Sequence, residues 1–490
     1  MRVSHYTPPI ISTLCLIMIV AFWITSLFNQ LSIDEAYTIW ASNRSDFSES
    51  LKRVLFEWNQ APLYYAIPWS LIYLGMDAEW QLRIPSLVLG LISCAVILKI
   101  GTSLVSPAAG RAAMLLWAVS EGTYYLVTNA RPYSLSTLLA LASLHYTIQQ
   151  CRHPRAISLA LQTVTTLAAI CTHFFFAGII LIQGLFLVCE ENRRGIRSLL
   201  LSYGCLACCG WFIAPHALTI LSQSSAFQLS GRPALSDLIV SLLPPATLIL
   251  IFLSTVITRG LPSVPNDGDK RRTISPRVLT FLVLWHTAPV LIVFMLAYYQ
   301  NNSSLMNTRF LIWQTPALAL LLGAALSHLQ TPILYTRTLF IFVILAITNQ
   351  IMRENMHDGW REAISILRTQ VMHTPDTTRI YYPGVMELQS VNHLSETSRR
   401  EMVTAPLRYY NYDHAIDILP ALLPDTEVVL LLERLTQSAS TVSILGQDLL
   451  SFDGKRPSRY LESLLRELGF KSTSIHYFER TWLLVAQRAS

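Results

Sequence analysis

Charge is what this sequence has least of. Only 13% of its 490 residues are Asp, Glu, Lys or Arg, about half the ~25% of an ordinary soluble protein. Long stretches carry none at all, which excludes a soluble enzyme, a disordered chain and a fibrous repeat. Cysteine is also confined. All eight (Cys15, Cys94, Cys151, Cys171, Cys189, Cys205, Cys208 and Cys209) lie in or beside apolar runs, so the polar parts have no disulfide framework. The Cys205–Cys208 spacing sits inside one such run without a second ligand pair, and reads as small-residue helix packing. No self-similar repeat relates the halves of the chain, and no cluster of metal ligands occurs in it.

What is present is apolar sequence in lengths of about 20 residues, the length a helix needs to cross the hydrocarbon core with its backbone paired. Ile10–Phe28 has no charge between Arg2 and Asp34. Comparable runs lie near 84–101, 112–128, 132–149, 156–172, 174–189, 198–220, 236–258, 278–299, 310–327 and 338–352. The fold class expected is a polytopic α-helical membrane protein of about eleven transmembrane helices. The first span lacks a small-residue cleavage site and reads as a retained anchor.

Arginine and lysine set the orientation. Arg152 with Arg155, Arg193 and Arg194 with Arg197, and Arg259 with Lys270, Arg271 and Arg272 alternate with less basic connections, and are placed in the cytoplasm. Parity then makes Pro62–Gly75, which is short and contains Pro68, an interfacial or re-entrant helix on the outer side. The tail emerges outside.

Four parts follow: residues 1–30, the first transmembrane helix; 31–82, a first extracytoplasmic loop with juxtamembrane helices and an acidic pair; 83–352, the remaining bundle; and 353–490, a charged extracytoplasmic α/β domain. Within the last, Arg379–Tyr382, Glu427–Leu432 and Thr481–Val485 read as strands. Arg456–Leu468 has helical spacing, with Gly469 placed to stop it. It contains no glycine-rich phosphate loop. A lid, an acceptor platform and a stability domain are all open for it.

Candidate chemistry gathers at the outer helix ends. Asp34 and Glu35 follow the first helix; Asn59, Gln60, Tyr64 and Tyr65 lie further along the same loop; Arg83 opens the next helix. Arg131 and Tyr133, then His173, then Arg309 follow at later outer ends. Adjacent acids at a membrane surface are either a helix N-terminal pair favoured by the dipole or a base for an acceptor hydroxyl or amine. The arginines either anchor to headgroups or hold a phosphate and its growing charge. Such a convergence suits a lipid-phosphate substrate. A transporter or flippase of a lipid-linked or anionic solute is the alternative, though transporters favour internal repeats and ionisable groups near the midplane. A non-catalytic assembly subunit is a third.

The order of these motifs resembles the C-type-fold, polyprenyl-phosphate-sugar-dependent membrane glycosyltransferases of family 39, the group of protein O-mannosyltransferases and lipid A aminoarabinose and galacturonic acid transferases. The ordered set carries the resemblance: the acidic pair, Pro62-Leu63-Tyr64-Tyr65, Arg83-Ile84-Pro85-Ser86 and Arg131-Pro132-Tyr133. It covers residues 10–330, and the tail more weakly. It implies an inverting transferase that modifies lipopolysaccharide or other glycans on the outer face of a bacterial inner membrane. The donor is a polyprenyl-phosphate-linked sugar, the acceptor a lipid, glycan or protein. No metal, cofactor or nucleic acid is implied. Asp34 takes the place of the catalytic base, with Glu35 assisting. Arg131 and Arg309 take the phosphate, with Tyr64, Tyr65 and Tyr133 around the donor. His173 stands where relatives carry a His, and reads as an ordinary hydrogen-bonded helix-end residue. Two departures stand out: Gln60-Ala61 where relatives often have a cation followed by Pro, and Asn129 where they often have Glu.

Overall fold

The computed structural model describes residues 7–57, 60–190, 196–223, 231–259, 274–307, 309–327, 332–353, 358–373, 377–383, 395–412, 414–419, 425–447, 456–478 and 480–488. Asn59 and the basic residues Arg193, Arg194, Lys270, Arg271 and Arg272 lie outside them. Contacts divide the chain into two compact units, one made of Met1–Phe28 and Asn59–Met352, the other of Asn29–Trp58 and Arg353–Ser490. The outer loop that the sequence suggested as one piece, 31–82, is thus shared between them.

In chain order the helices before the sheet are α1 (Thr7–Ser26), α2 (Ile33–Ser42), α3 (Phe47–Lys52), α4 (Ala66–Tyr73), α5 (Glu79–Leu104), α6 (Pro107–Ala118), α7 (Glu121–Thr128), α8 (Tyr133–Arg152), α9 (Ala156–Thr172), α10 (Ile179–Cys189), α11 (Ile196–Gln223), α12 (Leu235–Leu242), α13 (Pro245–Arg259), α14 (Pro276–Tyr299), α15 (Thr315–Ser327), α16 (Pro332–Arg353) and α17 (Trp360–His373). All but α2, α3 and α17 belong to the first unit.

That unit is a helical bundle. Four stretches among the described residues are long and apolar enough to cross a membrane: Glu79–Leu104, Leu235–Val256, Pro276–Tyr299 and Ile333–Met352. The eleven crossings expected from sequence are therefore not matched by length and apolarity. Two causes are visible. The run 112–128 is broken where the Ser120 hydroxyl accepts the Thr123 N–H (3.3 Å) and starts α7. The runs of α8 and α9 are diluted by polar side chains that bond one another inside the bundle. Ser143 meets Thr166 at 2.5 Å, Gln162 donates to Gln183 at 3.3 Å, and the Ser202 hydroxyl donates to Gln162 at 2.6 Å. Such bonds tie neighbouring helices where water is absent. α5 and α6 approach closely, since a Cβ on Gly101 would lie 2.7 Å from the Gly110 Cα. α4, on the segment expected to be interfacial, is 8 residues long, about 12 Å at 1.5 Å per residue and too short to span.

The second unit joins α2, α3 and α17 to a mixed sheet. After α17 come β1 (Thr377–Tyr382), α18 (Glu396–Val403), α19 (Ala405–Tyr409), β2 (Asp417–Ile418), α20 (Asp425–Thr436), β3 (Thr441–Gln447), α21 (Pro457–Glu467), β4 (Phe470–Phe478) and β5 (Thr481–Arg488). The strand order is β2-β1-β3-β5-β4, with β1 parallel to β2 and β3 and the β3–β5 and β5–β4 pairs antiparallel. Alternate residues serve two cores. Ile380, Ile444 and Leu484 pack with Leu432, Leu461 and Leu465 of α20 and α21. Tyr381, Leu445 and Leu483 pack with Trp360, Ile364 and Leu367 of α17. Gly469 follows α21 at φ +91°.

Glu427–Leu432 is helix rather than strand, which corrects the sequence reading. Val428, Leu432 and Thr436 are the buried positions, a four-residue spacing that a short apolar run conceals.

α2 and α3 are fixed within this unit by charge. Arg53 is 3% exposed and stacks 4.4 Å over Trp40. It donates to the Trp40 carbonyl and to Glu401, both at 2.8 Å, and Arg44 reaches the same carboxylate at 3.2 Å. Among the described residues, Glu401→Ala would leave the buried Arg53 charge with Glu57, at 3.6 Å, as its remaining ion-pair partner. The expected loss is roughly 3 kcal/mol, read as a lower unfolding temperature of the purified protein.

Candidate functional site

The acidic residues open α2. Ser32 is its N-cap, and Glu35 closes a capping box: the Ser32 N–H donates to Glu35 at 2.9 Å, while the Glu35 N–H reaches the Ser32 hydroxyl at 3.4 Å. Glu35 is fully buried in this role. Asp34, one position earlier in the first turn, stays half-buried. The helix-start reading therefore describes both acids, and the one that keeps access to solvent is Asp34.

A third acid lies beside them that the sequence did not single out. Asp358, 6% exposed, accepts the Ile33 N–H at 2.9 Å. Burial pushes its carboxyl up, the Ile33 N–H, Arg480 and Gln447 pull it down, and the charge on Asp34 pushes it up further. No local pattern marks it, because its partner is 325 positions away.

In the helical bundle, four residues named from sequence come together. Arg131 lies in the turn between α7 and α8, its guanidinium 6.0 Å from the Tyr133 ring, and is 6% exposed. Tyr133 starts α8 and packs 5.2 Å from His173, which ends α9. His173 in turn lies 6.0 Å from Phe175, whose ring is 5.2 Å from Phe310. Arg309 adjoins Phe310 and sits over its ring at 5.0 Å. The α8–α9 hairpin brings the first pair to the third. A turn started by Asn307, whose side chain accepts the Arg309 N–H at 3.2 Å, presents the fourth. Trp313 fixes the same segment, donating to the Phe310 carbonyl at 2.7 Å.

Electrostatics ties the group together. Burial, then the charges of Arg131 and Arg309, push the His173 ring down to about 3. The imidazole is neutral at physiological pH, with its Nδ1 buried and unbonded among the described residues. It is suited to donating or accepting one hydrogen bond, not to carrying charge. α8 begins at Pro132, which provides no side-chain cap, so its first N–H groups and positive dipole end add to the two guanidiniums. Two cations, a helix N-terminus and aromatic walls can hold an anionic headgroup. His173→Gln, neutral and still hydrogen-bonding, is expected to lower activity by less than the ~10²-fold that loss of an acid–base group brings. The pH–rate profile should keep its shape.

The other candidates are placed separately. Arg83, buried, donates to the Leu27 carbonyl at 2.9 Å, holding the segment after α1 to the start of α5. Tyr64 and Tyr65 are buried in a 3-10 turn, edge to face at 5.7 Å, and that turn packs on α9. Gln60 is half-buried. Asn129, one of the departures, has a structural account: its amide donates to the Tyr125 carbonyl at 2.8 Å and finishes α7. A carboxylate, which only accepts, could not do this.

Residues 59–218 match the family model of dolichyl-phosphate-mannose-protein mannosyltransferases. No curated protein matches the sequence. In fold, the chain is similar to ArnT from Cupriavidus metallidurans bound to undecaprenyl phosphate, at 13% identity and a TM-score of 0.55, over 96% of this chain and 97% of that one. The apo state of the same ArnT matches with the same score and coverage at 12% identity. The chain is thus a membrane-integral protein with the C-type glycosyltransferase fold, and it resembles the family 39 enzymes to which its ordered motifs pointed.

Proposed function

We propose that this chain is an inverting glycosyltransferase that moves a sugar from a polyprenyl-phosphate donor to a lipid, glycan or protein acceptor on the outer face of a bacterial inner membrane. The observation that carries the reading is the cluster of Arg131, Tyr133, His173 and Arg309, a cationic and aromatic group at helix ends suited to a lipid-borne phosphate. That the ArnT of similar fold was crystallised with undecaprenyl phosphate supports this choice of donor.

The chemistry is one displacement at the anomeric carbon. The acceptor's O–H or N–H bond breaks and its proton passes to the Asp34 carboxylate. The acceptor atom bonds to the anomeric carbon as the bond from that carbon to the phosphate oxygen breaks. Polyprenyl phosphate leaves with one more negative charge, met by Arg131 and Arg309. Tyr64, Tyr65 and Tyr133 line the donor, and His173 offers a neutral hydrogen bond. Gln60 replaces a cation, so the phosphate is held by fewer charges than in relatives that keep one.

The test supplies labelled polyprenyl-phosphate sugar to vesicles containing the protein. Covalent transfer of label to an acceptor supports the proposal. Label that crosses the bilayer while still on its lipid would instead identify a flippase.

A further inference from the structure

We infer that the C-terminal domain positions the acid, with Asp358 and Tyr410 holding the backbone from which Asp34 projects. This rests on the proposed role of Asp34 as base. Three consecutive N–H groups just before it each end on a side-chain oxygen. Leu31 donates to the Tyr410 hydroxyl at 3.0 Å, Ser32 to Glu35 at 2.9 Å, and Ile33 to Asp358 at 2.9 Å. One step earlier, Gln30 bonds Glu362 and accepts the Arg361 N–H at 2.7 Å. Apart from Glu35, every one of these partners belongs to residues 358–410.

Asp358 is itself held on several sides. Thr481 donates to its backbone carbonyl. Gly359 follows at φ +70°, where a Cβ would collide with the Phe478 carbonyl. The acceptor of the Ile33 bond is thus tied to the β4–β5 hairpin.

Ordinary helix capping does not account for this. The capping box of Ser32 and Glu35 already ends α2, and a neutral acceptor would take the Ile33 N–H at lower desolvation cost. A buried carboxyl beside a second acid is an expensive way to make one backbone bond. What it adds is a fixed direction for the first turn of α2, and a general base acts only from the correct position.

The test uses the full chain in membranes with labelled donor. Asp358→Ala is expected to lower kcat roughly 10- to 100-fold, the scale of a base displaced by about 1 Å, with the donor KM unchanged. Asp358→Asn, which still accepts the N–H, should recover most of that. Tyr410→Phe, which keeps the ring, should lower kcat several-fold, and it carries the test alone should Asp358→Ala fail to fold. Wild-type kcat in Tyr410→Phe and in any folded Asp358→Ala, or an effect confined to KM, overturns the inference. If these variants are normal while Asp34→Asn is inactive, the positioning role fails and the catalytic reading stands. An active Asp34→Asn removes the catalytic reading itself.

Discussion

Asp34→Asn should reduce sugar transfer by about 10²–10⁴-fold, the usual contribution of a positioned general base. The substitution preserves size and the dipole-favoured first turn of α2, and leaves the Ser32–Glu35 capping box in place. Folding should therefore be unaffected, and binding of polyprenyl phosphate unchanged, so that the loss appears in kcat. Glu35→Gln is the informative companion. Glu35 is buried in the cap, so its loss is expected to lower the unfolding temperature more than the rate. A variant pair in which Glu35 matters more to chemistry than Asp34 would reverse the assignment of the two acids.

The second large effect is expected at Arg131. Removing one preorganised donor to a developing anion costs about 10²–10³ in rate, and Arg131→Met should show a loss of that order together with weaker binding of polyprenyl phosphate. Arg309→Met should act in the same direction. A second readout comes from His173, which both guanidiniums help to keep neutral. Without Arg131 the ring should become easier to protonate, so its pKa rises, though burial still holds it below 6.5. The rise can be followed by the imidazole chemical shift in selectively labelled protein. An unchanged rate in Arg131→Met would return this arginine to the role of headgroup anchor.

The convergence of Arg131, Tyr133, His173 and Arg309 was legible from sequence because alternating helices bring every second helix end to one side. Once spans are recognised, those ends are neighbours by topology. The number of crossings was less legible. Ser143, Gln162, Thr166 and Gln183 lower the apolarity of their helices while pairing inside the bundle, and pairing cannot be read from composition. Glu427–Leu432 was misread because six apolar-rich residues are compatible with both periods. Asp358 was invisible for a different reason. Its meaning comes from Ile33, more than three hundred positions earlier, and no local sequence pattern marks it. The departure at Asn129 does the work of ending a helix, its amide donating to the Tyr125 carbonyl.

The discontinuity of the second unit has a consequence for biogenesis. Residues 29–58 leave the ribosome early, yet their binding partners begin at Arg353. At 5–20 residues per second, the interval between Ile33 and Asp358 is on the order of half a minute. During that time the amino-terminal segment waits without its counterpart. On the roles proposed above, a nascent or prematurely stopped polypeptide would carry Asp34 without its supports at Asp358 and Tyr410, so competence for transfer would arrive only with the late-made half.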